Sequence, residues 1–141
     1  MVAQTIVSNQ TRTVDLTAIS NIDSEISRMP PVVSPVTGIF TKGLYTRTIE
    51  MPAGSAHRSK IHKTEHQFII SQGACFVSEN GGPRILYKAP YHGITRPGTW
   101  RSLFIIMDCI WTTMHPTDKT TVEEVEADII ASMEEVKDEK A

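Results

Sequence analysis

The chain has 141 residues, 40% of them hydrophobic, and 14 Lys and Arg against 16 Asp and Glu, for a formal net charge of −2. This composition suits one domain, and the near-neutral balance excludes a bulk basic field for gripping nucleic acid or an anionic membrane. No window approaches the ~20 uninterrupted apolar residues of a transmembrane helix, and Met1 to Ser8 is too short and polar for a secretory leader, so a cytoplasmic location is expected.

Residues 1–35 read as an N-terminal arm with a helix over about 15–29. Leu16, Ile19, Ile22, Ile26 and Met29 recur at helical spacing and make one apolar stripe. Asp15 is placed to cap that helix, and Pro30-Pro31 ends it, because proline has no N–H to donate and disfavours helical geometry in the residue before it.

Residues 36–116 lack a helical period. They hold short β-prone runs: Leu44 to Met51, Gln67 to Ser71, Ala74 to Ser78, Arg84 to Tyr87, Gly93 to Arg96, Leu103 to Met107 and Ile110 to Met114. Turn residues punctuate them at close intervals, with Asn80-Gly81 the clearest hairpin turn, since both residues accept the positive φ it requires. Many short strands with frequent turns point to an antiparallel sandwich or barrel. Cys75 and Cys109 lie in apolar runs with no CxxC spacing and read as two buried thiols.

Residues 117–141 read as one acidic amphipathic helix. Thr121 and Glu124 form a capping box, and Val122, Val125, Ile129, Met133 and Val136 follow at helical spacing. Residues 118–141 carry nine acidic and three basic side chains, a net of −6, leaving +4 on the remainder. The solvated face of the helix accounts for the acidic excess.

The densest run of chemically capable residues is His57-Arg58-Ser59-Lys60-Ile61-His62-Lys63-Thr64-Glu65-His66. Neutral imidazoles and carboxylates are the usual ligands of divalent transition metals, and a site needs three or four converging on one point. His62 and His66 share a strand face but stand ~13 Å apart on a straight strand, so convergence needs a bend near Lys63-Thr64. Trp100 and Trp111 read as core or interface anchors, and His115-Pro116 as the turn that stops the last strand. There is no G-x-S-x-G, no P-loop and no dinucleotide fingerprint.

Pro52-Ala53-Gly54, His62-Lys63-Thr64-Glu65-His66, Gly73, Ala89-Pro90-Tyr91, Pro97-Gly98-Thr99 and Trp111-Thr112-Thr113 with His115-Pro116 resemble the small cupin-like proteins of tailed phages, over about residues 29–131. The resemblance implies a cupin-type jelly roll, here with an amphipathic helix at each end, and cupins commonly hold a divalent metal in the barrel. Aligned on Gly73, the first cupin motif places Gly54, Lys60, His62 and His66 at its glycine and ligand positions. The second motif is echoed only by Pro97-Gly98, and its ligand place falls on Arg101 or Ser102. Ammonium and guanidinium groups have no lone pair to give a metal.

Three expectations follow. The first is a self-associating structural or interaction protein, a homo-oligomer with phage capsid proteins as partners and the virion as location if phage-encoded. The second is a metal-dependent enzyme with His62, His66 and His92 as ligands, His57 in reserve and Glu65 as general base. The third is a binding protein for an anionic small molecule, held by Lys60 and Arg101. The missing ligand positions weigh against catalysis.

Overall fold

The computed structural model describes residues 14–132. Helix α1 (Leu16–Ser27) forms where the apolar stripe predicts it, with the Asp15 carboxylate accepting from the Ala18 N–H at 3.0 Å. It ends at Arg28, ahead of the two prolines. Ile19 is buried and joins Val14, Ile61 and Trp100 in a small core, with Ile22 packed against it. A bidentate ion pair, Arg58 to Asp23 at 2.7 and 2.8 Å, ties α1 to the β domain.

The β strands are β1 (Val36–Thr41), β2 (Leu44–Met51), β3 (Ala56–Arg58), β4 (Ile61–His62), β5 (His66–Glu79), β6 (Arg84–Lys88), β7 (Tyr91–Thr95) and β8 (Arg101–Pro116). All pairings are antiparallel, and the main sheet runs β1-β2-β8-β5-β6, with β3 against β8 and β7 against β5. Two expected pairs of short strands are each one long strand. Residues 67–71 and 74–78 fuse into β5, and 103–107 and 110–114 into β8.

The fusion works because β5 changes partner halfway, from β7 at His66–Ile70 to β6 at Ala74–Ser78, through a bulged stretch against β8. Gly73 makes the bulge: its φ is +90°, and a Cβ there would overlap the carbonyls of Asp108 and Met107. Likewise β8 pairs with β3 through Ser102–Phe104 and with β2 through Cys109–Pro116. At the β5–β6 hairpin Asn80 and Gly81 both have positive φ, as expected.

Phe68, Ile70, Val77, Ile105, Cys75, Cys109 and Trp111 fill the main core. Burying each large apolar side chain contributes about 1.5–3 kcal/mol. The two thiols are neighbours in this core, and the adjacent Cys109 sulfur together with burial pushes the Cys75 thiol up.

The C-terminal helix is shorter than expected. Helix α2 (Val122–Ile129) has its Thr121 cap and capping box, but Ile130 is extended and opens a short strand, β9 (Ile130–Ala131). Strand β9 pairs with β4, joining Ile61 to Ala131 and His62 to Ile130. Backbone pairing to β4 wins over the helical period at that point, and Met133 and Val136 lie outside the described residues. Val125 and Ile129 pack on Tyr45, while Glu123, Glu124, Glu126 and Asp128 face solvent. No helix among the described residues is long and apolar enough to cross a membrane.

Candidate functional site

The site is built from the inward faces of β2 and β8 at one end of the sandwich. Side chains alternate along a strand, so Tyr45, Arg47, Ile49 and Met51 of β2 share a face, as do Trp111, Thr113 and His115 of β8. The register joins Tyr45 to His115, Arg47 to Thr113 and Ile49 to Trp111. These residues, with His57, Lys60, His62 and Arg101, line a cavity of about 240 Å³, closed on one side by Glu126, Ile129 and Ile130.

Three imidazoles meet beside this cavity. The His66 ring lies between the other two, with centroids 4.8 Å from His62 and 4.2 Å from His115. His66 Nδ1 donates to the Thr64 carbonyl at 3.2 Å, which fixes its tautomer, and His115 Nε2 is bonded to the Thr113 hydroxyl at 2.8 Å. The other nitrogens, His66 Nε2, His115 Nδ1 and His62 Nδ1, are buried and have no hydrogen-bond partner in the protein.

Burial, the His66 ring and the charges of Arg101 and Arg47 hold His62 down at about 3. His66 falls to about 4 through burial, opposed by its bond to Thr64 and assisted by Arg101. His115 falls to about 3 through burial, with His66 and Arg47 adding to the effect. All three rings are therefore neutral at pH 7. His57, half-buried, is also lowered by desolvation, and its Nε2 is bonded to Ser55 at 2.8 Å.

Arg101 is the fixed charge of the site. It is 4% exposed, pairs with Glu79 through Nε and Nη2 at 2.9 Å, and donates from Nη1 to the Thr95 hydroxyl at 2.8 Å. Its guanidinium carbon stands 4.7 Å from the Phe68 ring centre and 5.8 Å from that of Trp111. Arg47 and Lys60 differ from it. Neither makes a side-chain hydrogen bond or ion pair among the described residues, and Glu126 is the only carboxylate on the cavity wall.

The structure brings His62 and His66 together, but His92 is not with them. It is exposed on the outer face of β7, opposite Ile69, and its Nε2 donates to Gln67 at 3.0 Å. Glu65 is also exposed and pairs with Arg96 at 3.2 Å, away from the cavity. Arg101 lines the cavity with each of its guanidinium nitrogens already engaged once, and Lys60 reaches it from the rim. The sequence reading missed Arg47 and His115. Both carried a parity signal: Trp111 points inward, so Thr113 and His115 must as well.

No family model and no curated protein matches the chain. Solved structures do match. A double-stranded β-helix domain protein from Klebsiella pneumoniae matches with a TM-score of 0.54 and 14% identity, over 79% of this chain and 95% of that one. An RmlC-like cupin family protein from Methanocaldococcus jannaschii matches with a TM-score of 0.52 and 12% identity, over 61% of this chain and 82% of its own. The Schizosaccharomyces pombe Cnp3 cupin domain gives 0.50 at 20% identity, over 74% and 80% of the two chains. The fold is that of the cupins. At these identities the likeness carries the architecture alone and says nothing of a phage origin.

The cupin barrel raises the question of a metal. Neutral imidazoles with buried, unpartnered nitrogens are chemically suitable donors. Their arrangement is not. Among the described residues no three His, Cys, Asp or Glu side chains converge so as to hold an ion. An ion at His62 and His66 would also be repelled by the Arg101 guanidinium, which lowers both rings. The residues present do not fit a metal centre.

Proposed function

We propose that the chain is a binding domain for a small organic anion held in the barrel interior, without turnover. The observation that carries this reading is the imbalance of charge on the cavity wall. Arg47, half-buried, carries an uncommitted positive charge into a cavity of about 240 Å³ that has one carboxylate, Glu126, and the exposed Lys60 adds a second uncommitted charge at its rim. Charged groups in low-dielectric surroundings are stabilised when paired, and an arginine fork presents a carboxylate or phosphate with two parallel donors. Glu65, the residue expected as a general base, faces away from the cavity.

Thermal denaturation against a panel of small anions at matched ionic strength tests this. Some members raise the melting temperature of the wild type, and the rise disappears in Arg47→Gln. If no anion exceeds matched chloride, the reading fails.

A second reading, self-association, is supported by β1. This edge strand is exposed at all six residues, carries no charge, and shows Val36 and Ile39 to solvent. Exposed edges are usually blunted by charge, proline or a bulge, and β1 lacks all three. Light scattering reads the mass, and Ile39→Lys returns an edge-paired dimer to monomer. A capsid-decoration role would use the same edge, and its support is the sequence resemblance alone.

A further inference from the structure

We propose that the anion taken by the barrel is a monocarboxylic acid with an apolar body, aliphatic or aromatic, rather than inorganic phosphate or a polyhydroxy acid. This rests on the anion-binding reading above and names the ligand class for that site.

The cavity has few polar groups left to offer a ligand. Most of its aliphatic hydroxyls are already engaged. Ser59 donates to the Lys60 carbonyl and accepts from the Arg101 N–H, Thr95 accepts from Arg101, and Thr113 is bonded to His115. Two of its four cations are also committed, Arg58 to Asp23 and Arg101 to Glu79. The polar groups left free on the wall are mainly the Arg47 and Lys60 charges, the Tyr45 hydroxyl and one ring nitrogen each of His62 and His115. A ligand with more hydroxyls than these few groups can meet loses its water without replacement partners, which costs affinity for each unmet group. The rest of the wall, chiefly Ile49, Met51, Leu103, Trp111, Ile129 and Ile130, is apolar.

The arrangement also has a direction. Along the inward face of β2 a cation at Arg47 is followed by Ile49 and then Met51, with Trp111 and Cys109 opposite them in register. Two-residue steps on a strand are ~6.6 Å, so the apolar wall extends ~13 Å from the charged position. A carboxylate at Arg47 therefore directs its hydrocarbon body along β2 toward the core, while Lys60 approaches the charge from the rim.

The test is titration calorimetry on the full chain at pH 7 with acetate, butanoate, hexanoate, octanoate, benzoate, hexanol, gluconate and inorganic phosphate. Affinity is expected to rise about fourfold per added methylene, the equivalent of ~0.8 kcal/mol each, until the body outgrows the cavity. Hexanol, gluconate and phosphate bind at least tenfold more weakly than hexanoate. Arg47→Gln weakens hexanoate at least tenfold with its melting temperature retained; Lys60→Gln serves if that variant does not fold.

Phosphate or gluconate binding with a flat acid series overturns this inference and leaves the anion reading standing. Silence from every anion overturns both. Hexanol binding as well as hexanoate overturns the role of the charge.

Discussion

Three imidazoles joined through the His66 ring, with His66 and His115 buried and His62 half-buried, are expected to make the stability of this barrel sensitive to mild acid. Each is depressed from an unfolded value near 6.5 to about 3 or 4. Above pH 6.5 neither the folded nor the unfolded chain protonates them, and they have no effect on the balance. Below it the unfolded chain takes up protons that the folded chain refuses, so stability falls as pH drops from about 6.5 toward 4.

At pH 5 each imidazole costs about 2 kcal/mol, and the three together about 6 kcal/mol, against a typical total of about 5–15 kcal/mol. Carboxylates with ordinary values remain largely ionised at pH 5, so the window isolates the histidines. Urea denaturation at pH 7.5 and pH 5 measures the loss directly. His115→Gln should remove about a third of it, and His66→Gln a comparable part. A wild-type loss below about 1 kcal/mol would refute the claim that these rings are buried and neutral.

Other substitutions probe the frame around the site. Arg101→Met strands the buried Thr95 hydroxyl and the Glu79 carboxylate, which is 45% exposed on its side chain; a loss of about 3 kcal/mol in urea denaturation is expected, toward the low end for a buried pair. Gly73→Ala faces both a positive φ and overlap with the β8 backbone, and should cost at least about 2 kcal/mol by the same measurement. Asp23→Asn cuts the tie between α1 and β3 but acts on a well-exposed carboxylate, so the global loss stays below about 1 kcal/mol while hydrogen exchange across α1 rises. Asp15→Ala removes the helix cap at a cost of about 1 kcal/mol, read from the thermal midpoint.

Local chemistry made part of this molecule legible in its sequence. Helix α1 is written in Asp15, its apolar stripe and Pro30-Pro31, and the Asn80-Gly81 turn in the backbone freedom of its two residues. What the sequence hid depends on distant partners. Gly73 looks like a strand terminator until the β8 carbonyls that exclude a side chain are known. The apolar period through Ile129, Met133 and Val136 reads as unbroken helix because nothing local records that β4 competes for the backbone at Ile130.

At the site, His62 and His66 were found by proximity in sequence. Arg47 and His115 lie on other strands and converge only through the β2–β8 register. His92 was misplaced by one step of strand parity, since Thr95 on β7 faces inward and a residue three positions earlier faces out.

The central place of β8 has a consequence for how the chain is made. Strand β8 is the last strand of the main sheet in sequence, yet it stands between β2 and β5 and also holds β3. During synthesis the β1–β2 ribbon and the β5–β6 hairpin must wait, each with an inner edge unpaired, until residues 101–116 have left the ribosome. Sheets closed by such long-range pairing fold slowly, and their unpaired edges are open to association in the interval. Truncation before Arg101 therefore leaves two ribbons without the strand that joins them, and slowing translation ahead of that residue prolongs the exposure of apolar strand faces to other chains.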